Sequence, residues 1–137
     1  MKAEETKFDI LLVGGGLANG LIALQLAKIP NLKFQLIEAG SKFGGDHTWS
    51  FYNADLSPQL LQLISPAVKR SWDGYDVQFP KFKRRLSSRY NSIRSEDFHS
   101  LLLDNLKLDQ FRFLSHVKSV QTGSVHLENG EKLNARY

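Results

Sequence analysis

The stretch from Phe8 to Glu38 constrains this chain most. It opens with Phe8-Asp9-Ile10-Leu11-Leu12-Val13 and passes through Gly14-Gly15-Gly16-Leu17-Ala18-Asn19-Gly20. An apolar-periodic run follows from Leu21 to Ala27, and Phe34-Gln35-Leu36-Ile37-Glu38 closes the stretch. The order reads as strand, glycine turn, helix, strand and terminal acid. It suits one physical task. A turn without Cβ atoms lets a pyrophosphate approach backbone N–H groups at a helix N-terminus, where the helix dipole favours negative charge. An acid at the tip of the second strand can then bind ribose hydroxyls. Glu38 lies 22 residues beyond Gly16, near the usual spacing of about 20. The expected fold class is α/β: a Rossmann-like βαβ domain with a parallel sheet and a dinucleotide site.

The dinucleotide fingerprint is G-x-G-x-x-G/A. Gly14 and Gly16 occupy its first two positions, Gly15 lies between them, and Asn19 falls where the third glycine is expected. That third glycine normally permits close helix–strand contact, so Gly20 or a local adjustment must make the room, helped by the small Ala23. The backbone from Gly14 to Ala18, including Leu17, is the candidate phosphate cradle. The bland alternative is a glycine turn that merely joins a core strand to a core helix.

At 137 residues the chain is one domain or part of one. It contains no cysteine, which excludes disulfides and cysteine-ligated zinc and suits a cytoplasmic location. His47, His99, His116 and His126 are scattered without metal-ligand spacing, so no metal is expected. No serine, histidine and acid arrangement suggests a hydrolase. The opening, Met1 to Lys7, is charged, with Glu4 and Glu5, and no apolar signal core follows it. No uninterrupted apolar stretch reaches the roughly 18 residues that would span a bilayer.

The net charge of +4 is uneven. Between Lys69 and Arg94 eight bases accompany only Asp73 and Asp76, a local balance of +6. Such a stretch is a solvated face, an anion site, or a surface that meets acidic lipid or, least of all, nucleic acid. Phe79 and Phe82 within it suit either a bilayer interface or the core.

Farther along, Pro30 and Asn31 mark a turn. The run from Ala39 to Phe51 holds Gly40, Gly44 and Gly45 and reads as a loop with unusual backbone angles. Asp55-Leu56-Ser57-Pro58 starts a helix with Leu60, Leu61, Leu63 and Ile64 as its buried stripe, ended by Ser65-Pro66. Tyr75 to Phe79 alternates as a strand closed by Pro80, and Leu86 to Ile93 holds another. Ser95-Glu96-Asp97 begins a helix whose face is Phe98, Leu101, Leu102 and Leu106. Phe111 to Leu114 and Val117 to Val120 are strand-like. Val125-His126-Leu127 and Lys132-Leu133 flank an Asn129-Gly130 turn, an added β-hairpin. The chain stops soon after it, at Tyr137, as though it were the N-terminal part of a longer, truncated protein.

Val13 to Leu24, followed by Gly44-Gly45-Asp46-His47-Thr48-Trp49-Ser50-Phe51, resembles the bacterial lycopene β-cyclases of carotenoid synthesis. The Asn19-Gly20 form of the turn is typical of that family. The similarity extends through Phe79-Pro80, Arg84-Arg85 and the hairpin. It implies that residues 1–137 are the N-terminal FAD/NAD(P)-binding part of a flavoprotein, with the substrate domain absent. The implied reaction closes the ends of lycopene into β-ionone rings with no net electron transfer, using FAD in its reduced form with NAD(P)H as reductant. The resemblance places the family's catalytic acids beyond Tyr137, so no catalytic residue is expected here. It implies cofactor contacts at Gly14, Gly15, Gly16, Leu17, Ala18, Asn19, Glu38 and Ala39. His47 is expected to hold the loop near flavin or substrate, although a lone histidine is also commonly structural. Val117, by similarity to related flavoproteins, offers backbone groups to the adenine. The implied partners are a carotenoid substrate and a membrane surface met through Lys69–Arg94, with no nucleic acid, and the implied location is cytoplasmic and peripheral to the inner membrane. Two alternatives stand beside this: an FAD-dependent monooxygenase or oxidoreductase of the same architecture, and an inactive nucleotide-binding module.

Overall fold

The computed structural model describes residues 7–137; the acids Glu4 and Glu5 of the charged opening lie outside the described residues. The elements run β1 Ile10–Val13, α1 Leu17–Leu26, β2 Phe34–Ile37, β3 Thr48–Tyr52, α2 Pro58–Ile64, β4 Arg70–Trp72, β5 Tyr75–Phe79, β6 Phe82–Leu86 and β7 Tyr90–Arg94. They continue α3 Ser95–Asn105, β8 Phe111–Arg112, β9 Val117–Gln121, β10 Ser124–Leu127 and β11 Lys132–Asn134. The fold is α/β with both parallel and antiparallel sheets. Two compact units form, one from the chain up to Gly45 with Leu102–Tyr137, the other from Asp46–Leu101.

In the first unit β1, β2 and β8 make a parallel sheet in the order β1-β2-β8, with Leu12 opposite Leu36 and Leu36 opposite Phe111. The central strand is apolar apart from half-buried Gln35, close to what a parallel strand covered on both faces needs, and Phe34, Leu36 and Ile37 are buried. Helix α1 returns the chain with Gly20, Ala23 and Leu24 buried. The expected strand–helix–strand unit is present, and Asn31 turns the chain between α1 and β2 at φ 62°. The expected hairpin is present too, as β10 against β11, and β9 adds a third antiparallel strand on the other side of β10. Gly130 at the turn has φ 88°, and Asn129 Oδ1 accepts the Glu131 N–H at 2.9 Å. Phe8, Ile37, Val125, Leu127, Leu133 and Ala135 pack into one core. The Leu11 N–H donates to the Tyr137 carbonyl at 2.9 Å, which ties the last residues to β1.

In the second unit β7 pairs antiparallel with β3 on one side and β4 on the other. Buried Asn91 holds this sheet from within: its Nδ2 donates to Asn53 Oδ1 at 2.7 Å, and its Oδ1 accepts from Ser71 Oγ at 2.9 Å. Trp49 lies edge-on to buried Phe98 with ring centroids 5.5 Å apart. Ser57 caps α2, accepting the Leu60 N–H at 3.3 Å. Strands β5 and β6 form a separate two-stranded hairpin. Of the stripe expected on α2, only Ile64 is buried, whereas Phe98, Leu101 and Leu102 on α3 all are, as is Leu106 just beyond its end.

Three strands depart from the sequence expectation. Thr48–Tyr52 is a strand and not the end of a loop, because it pairs residue for residue with Tyr90–Arg94. Arg70–Trp72 and Phe82–Leu86 are strands although almost wholly exposed, since each is held by its neighbour's backbone and buries little of its own surface. Among the described residues no helix is long and apolar enough to cross a membrane.

Candidate functional site

The site begins where β1 ends. Gly14 has φ 93°, a left-handed conformation that turns the chain sharply out of the strand. Its N–H donates to the Ile37 carbonyl at 2.8 Å, so the turn is pinned to the neighbouring strand before it leaves the sheet. Gly16 is the N-cap of α1, and no side chain caps the helix. A Cβ built on Gly16 meets nothing within 4 Å, which leaves open space directly over the uncapped N-terminus. Leu17 and Ala18 form the first turn behind it.

Gly15 differs from its neighbours. A Cβ there would lie 2.6 Å from the Phe43 ring and 2.9 Å from Glu38 Oε2, so the backbone is closely packed on its inner side. Phe43 is buried against Phe111 and Phe113, with ring centroids 5.4 and 4.6 Å away. The Gly44 N–H donates to the Gly15 carbonyl at 2.8 Å. The loop after β2 thus folds back under the glycine turn.

Asn19 supplies the local adjustment. Its Nδ2 donates to the Val13 carbonyl at 2.8 Å and the Gly14 carbonyl at 2.9 Å. These are the last carbonyl of the strand and the first of the turn, so a side chain on the helix ties down the bend. Gly20, one residue on, is buried.

Glu38 is held through both its backbone and its side chain. Its N–H donates to the Arg112 carbonyl at 2.9 Å, and its carbonyl accepts the Ser115 N–H at 3.0 Å. Its Oε2 accepts the Gly15 N–H at 2.7 Å and its Oε1 the Gly40 N–H at 2.6 Å. An ionised carboxylate offers about four lone-pair sites. Two backbone donors leave capacity for two hydroxyls on the exposed side, the pattern of a vicinal diol. Ala39 follows on the exposed loop. Val117 opens β9, two residues beyond Ser115, with its side chain packed against the first unit's core. Arg112 braces this edge: its Nε donates to Ser115 Oγ at 3.0 Å and its guanidinium meets Glu131 in two bonds of 3.0 and 3.1 Å. That guanidinium holds the Glu131 carboxyl below the usual carboxylate range.

The structure therefore brings Gly14 to Asn19, Glu38 and Ala39 together at one end of the parallel sheet. His47 belongs to the second unit, where its exposed ring lies 5.8 Å from that of Trp49 and its carbonyl accepts the Ser95 N–H at 2.8 Å. Sequence reasoning missed Gly40 and Phe43 as parts of the site. No local rule marked Gly40, since the side chains that ordinarily accept the N–H two residues on are the shorter Asp, Asn, Ser and Thr. Nothing local marked Phe43.

The lycopene cyclase protein family model matches residues 9–137. The lycopene beta-cyclase of Pseudescherichia vulneris is 48% identical over 132 residues, covering 93% of this chain and 33% of that protein. That of Pantoea ananas is 40% identical over 136 residues, covering 94% and 34%. The chain spans about a third of the length of these curated relatives. Among solved structures, 2-methyl-3-hydroxypyridine-5-carboxylic acid oxygenase matches with TM-score 0.69 at 15% identity, covering 96% of this chain and 38% of that one. The 2,6-dihydroxypyridine-3-hydroxylase of Arthrobacter nicotinovorans matches with TM-score 0.62 at 11% identity, covering 96% and 36%. At such identities these two similarities bear on the fold alone.

Proposed function

The chain belongs to the lycopene cyclase family, and we propose that it is the N-terminal, Rossmann-like FAD-binding part of a lycopene β-cyclase. The match across residues 9–137 carries this reading. The open space over Gly16, the uncapped α1 and the unfilled acceptor capacity of Glu38 fit a dinucleotide. Backbone N–H groups from Gly14 to Ala18 would hold the pyrophosphate, assisted by the α1 dipole. Asn19 would keep that backbone in place, and Glu38 and Ala39 would receive the ribose. Val117 would offer its backbone to the adenine, and His47 would order the loop that leads into β3. FAD in its reduced form, maintained by NAD(P)H, would supply electron density that offsets the positive charge of ring closure.

The reaction is a net non-redox cyclisation. A terminal alkene of lycopene takes up a proton, the ring closes on the carbocation, and a proton leaves. Protonating an alkene needs an acid held protonated by an apolar site. Of the carboxyls in the unit and loop nearest the proposed cofactor, Glu38 is committed to backbone donors and Asp46 is exposed, so neither is placed so. On the family reading the acid would come from outside residues 1–137. The substrate is a hydrocarbon that water does not carry, which favours work at the inner-membrane surface from the cytoplasmic side. The basic stretch Lys69–Arg94 would face anionic lipid there, at about 1 kcal/mol per base.

Expression of the full-length protein in a lycopene-accumulating host should yield β- or γ-carotene; unchanged lycopene would overturn the family activity for this protein. Residues 1–137 alone, given FAD and NADPH, should form no rings, and turnover by them would overturn the placement of the acid.

A further inference from the structure

The β5–β6 hairpin has two unlike faces. Residues opposite one another in an antiparallel pair share a face. The pairs Tyr75 with Leu86, Val77 with Arg84 and Phe79 with Phe82 therefore line one side, and Asp76 with Arg85 and Gln78 with Lys83 line the other. At the base the apolar side is covered within its own unit: Tyr75, Val77 and Leu86 are half-buried, and the Tyr75 ring lies 5.6 Å from that of Tyr52. At the tip it is bare. Phe79 and Phe82, the closing pair, are 63% and 53% exposed.

The charges around the tip are equally unbalanced. Arg85 is met by Asp76 at 3.3 Å, and Arg89, farther back, by Asp73 at 2.6 Å. Among the described residues no acid lies within ion-pair reach of Lys81, Lys83 or Arg84. Two bare aromatic rings at a tip that also carries Arg84 on their own face, Lys81 in the turn and Lys83 on the other face have the chemistry of a segment that sits in an anionic lipid interface, with rings among the acyl chains and cations at the headgroups.

The geometry points to the β5–β6 tip as the membrane anchor, with Phe79 and Phe82 inserting and Lys81, Lys83 and Arg84 binding anionic headgroups. This rests on the membrane-surface reading above and narrows it from a 26-residue basic stretch to one hairpin end. The occupant is a bilayer and not a further protein segment, because uncompensated positive charge accompanies the rings.

The test is co-sedimentation of the full-length protein with vesicles of phosphatidylglycerol and phosphatidylcholine in a ratio of roughly 1:3, against pure phosphatidylcholine. The double variant Phe79→Ser, Phe82→Ser should bind at least ~10-fold more weakly. Changing Lys81, Lys83 and Arg84 to Gln should cost ~5-fold per charge and remove most of the salt dependence. The balanced double variant Asp76→Asn, Arg85→Gln on the opposite face should change affinity by less than about twofold. Wild-type levels of salt-sensitive binding in both tip variants would overturn the anchor while leaving a membrane contact elsewhere. No binding by the unaltered protein would overturn both readings. A lowered melting temperature of the Phe79→Ser, Phe82→Ser variant in lipid-free buffer would show that protein covers the pair, and would also overturn the anchor.

Discussion

Glu38 Oε2 accepts the Gly15 N–H at 2.7 Å, so the acid that ends β2 also holds the turn that ends β1. The same carboxylate takes the Gly40 N–H at 2.6 Å on its other oxygen. One side chain thus ties the glycine turn, the proposed phosphate cradle, to the loop after β2, the proposed ribose position. A neutral amide cannot reproduce this, because its NH2 group donates where an acceptor is needed. Glu38→Gln should lose one charge-assisted bond of about 1.5–3 kcal/mol, and flavin affinity of the full-length protein should fall roughly 10- to 100-fold. Fluorescence titration of the apoprotein checks this, and unchanged affinity would remove Glu38 from the site.

Gly15 and Gly16 are adjacent yet should respond differently to substitution. Space over Gly16 is open, so Gly16→Val should fold with a near-normal melting temperature and retain no flavin, its side chain standing where the pyrophosphate is proposed to lie. Gly15→Ala drives a methyl group into Phe43 and Glu38. Such overpacking costs about 1–3 kcal/mol, so this variant should melt at a lower temperature whether or not flavin is present. A folded Gly16→Val protein with normal flavin content would refute the cradle.

Asn19 stands where the fingerprint has a glycine, and its side chain bonds the Val13 and Gly14 carbonyls. Asn19→Gly restores the fingerprint but removes both bonds and adds a flexible residue to the first turn of α1. At about 1 kcal/mol per bond, with a further ~1 kcal/mol for glycine in a helix, the variant should be less stable and lose flavin more readily. Thermal unfolding decides it; a more stable variant would show the two bonds to be incidental.

The strand–turn–helix–strand order, the α3 face and the Asn129-Gly130 hairpin were legible in the sequence because each is set by local chemistry: a period, a cap or a turn residue. What Asn19 and Glu38 bond to was not, since Val13 and Gly15 become their neighbours only when the chain folds back. Strands β4 and β6 lacked a signal for a different reason. Phe82-Lys83-Arg84-Arg85-Leu86 buries no continuous face, so it shows no clean alternation. Trp49 and Phe51 do alternate with Thr48, Ser50 and Tyr52, but the preceding glycines masked the pattern as loop.

The pair Arg112–Glu131 gives the first unit a pH dependence whose sign is set. The guanidinium lowers the folded-state pKa of Glu131, chiefly through its hydrogen bonds, against a smaller opposing effect of burial. A carboxyl with a depressed folded pKa contributes stability that is present above its unfolded value, about 4.3, and lost as pH falls through the folded value. Both side chains are partly exposed, so solvent screening keeps the contribution at neutral pH to about 1 kcal/mol or less. Glu131→Gln should therefore be slightly less stable than the unaltered protein at pH 7. The gap should begin to narrow as pH falls below the unfolded value of about 4.3 and close once pH passes below the depressed folded value, where the unaltered carboxyl is protonated too. Urea-unfolding midpoints of the two full-length proteins, followed from neutral to acid pH, measure it. A difference that persists or widens in acid would mean that Glu131 acts through packing and not through its charge on Arg112.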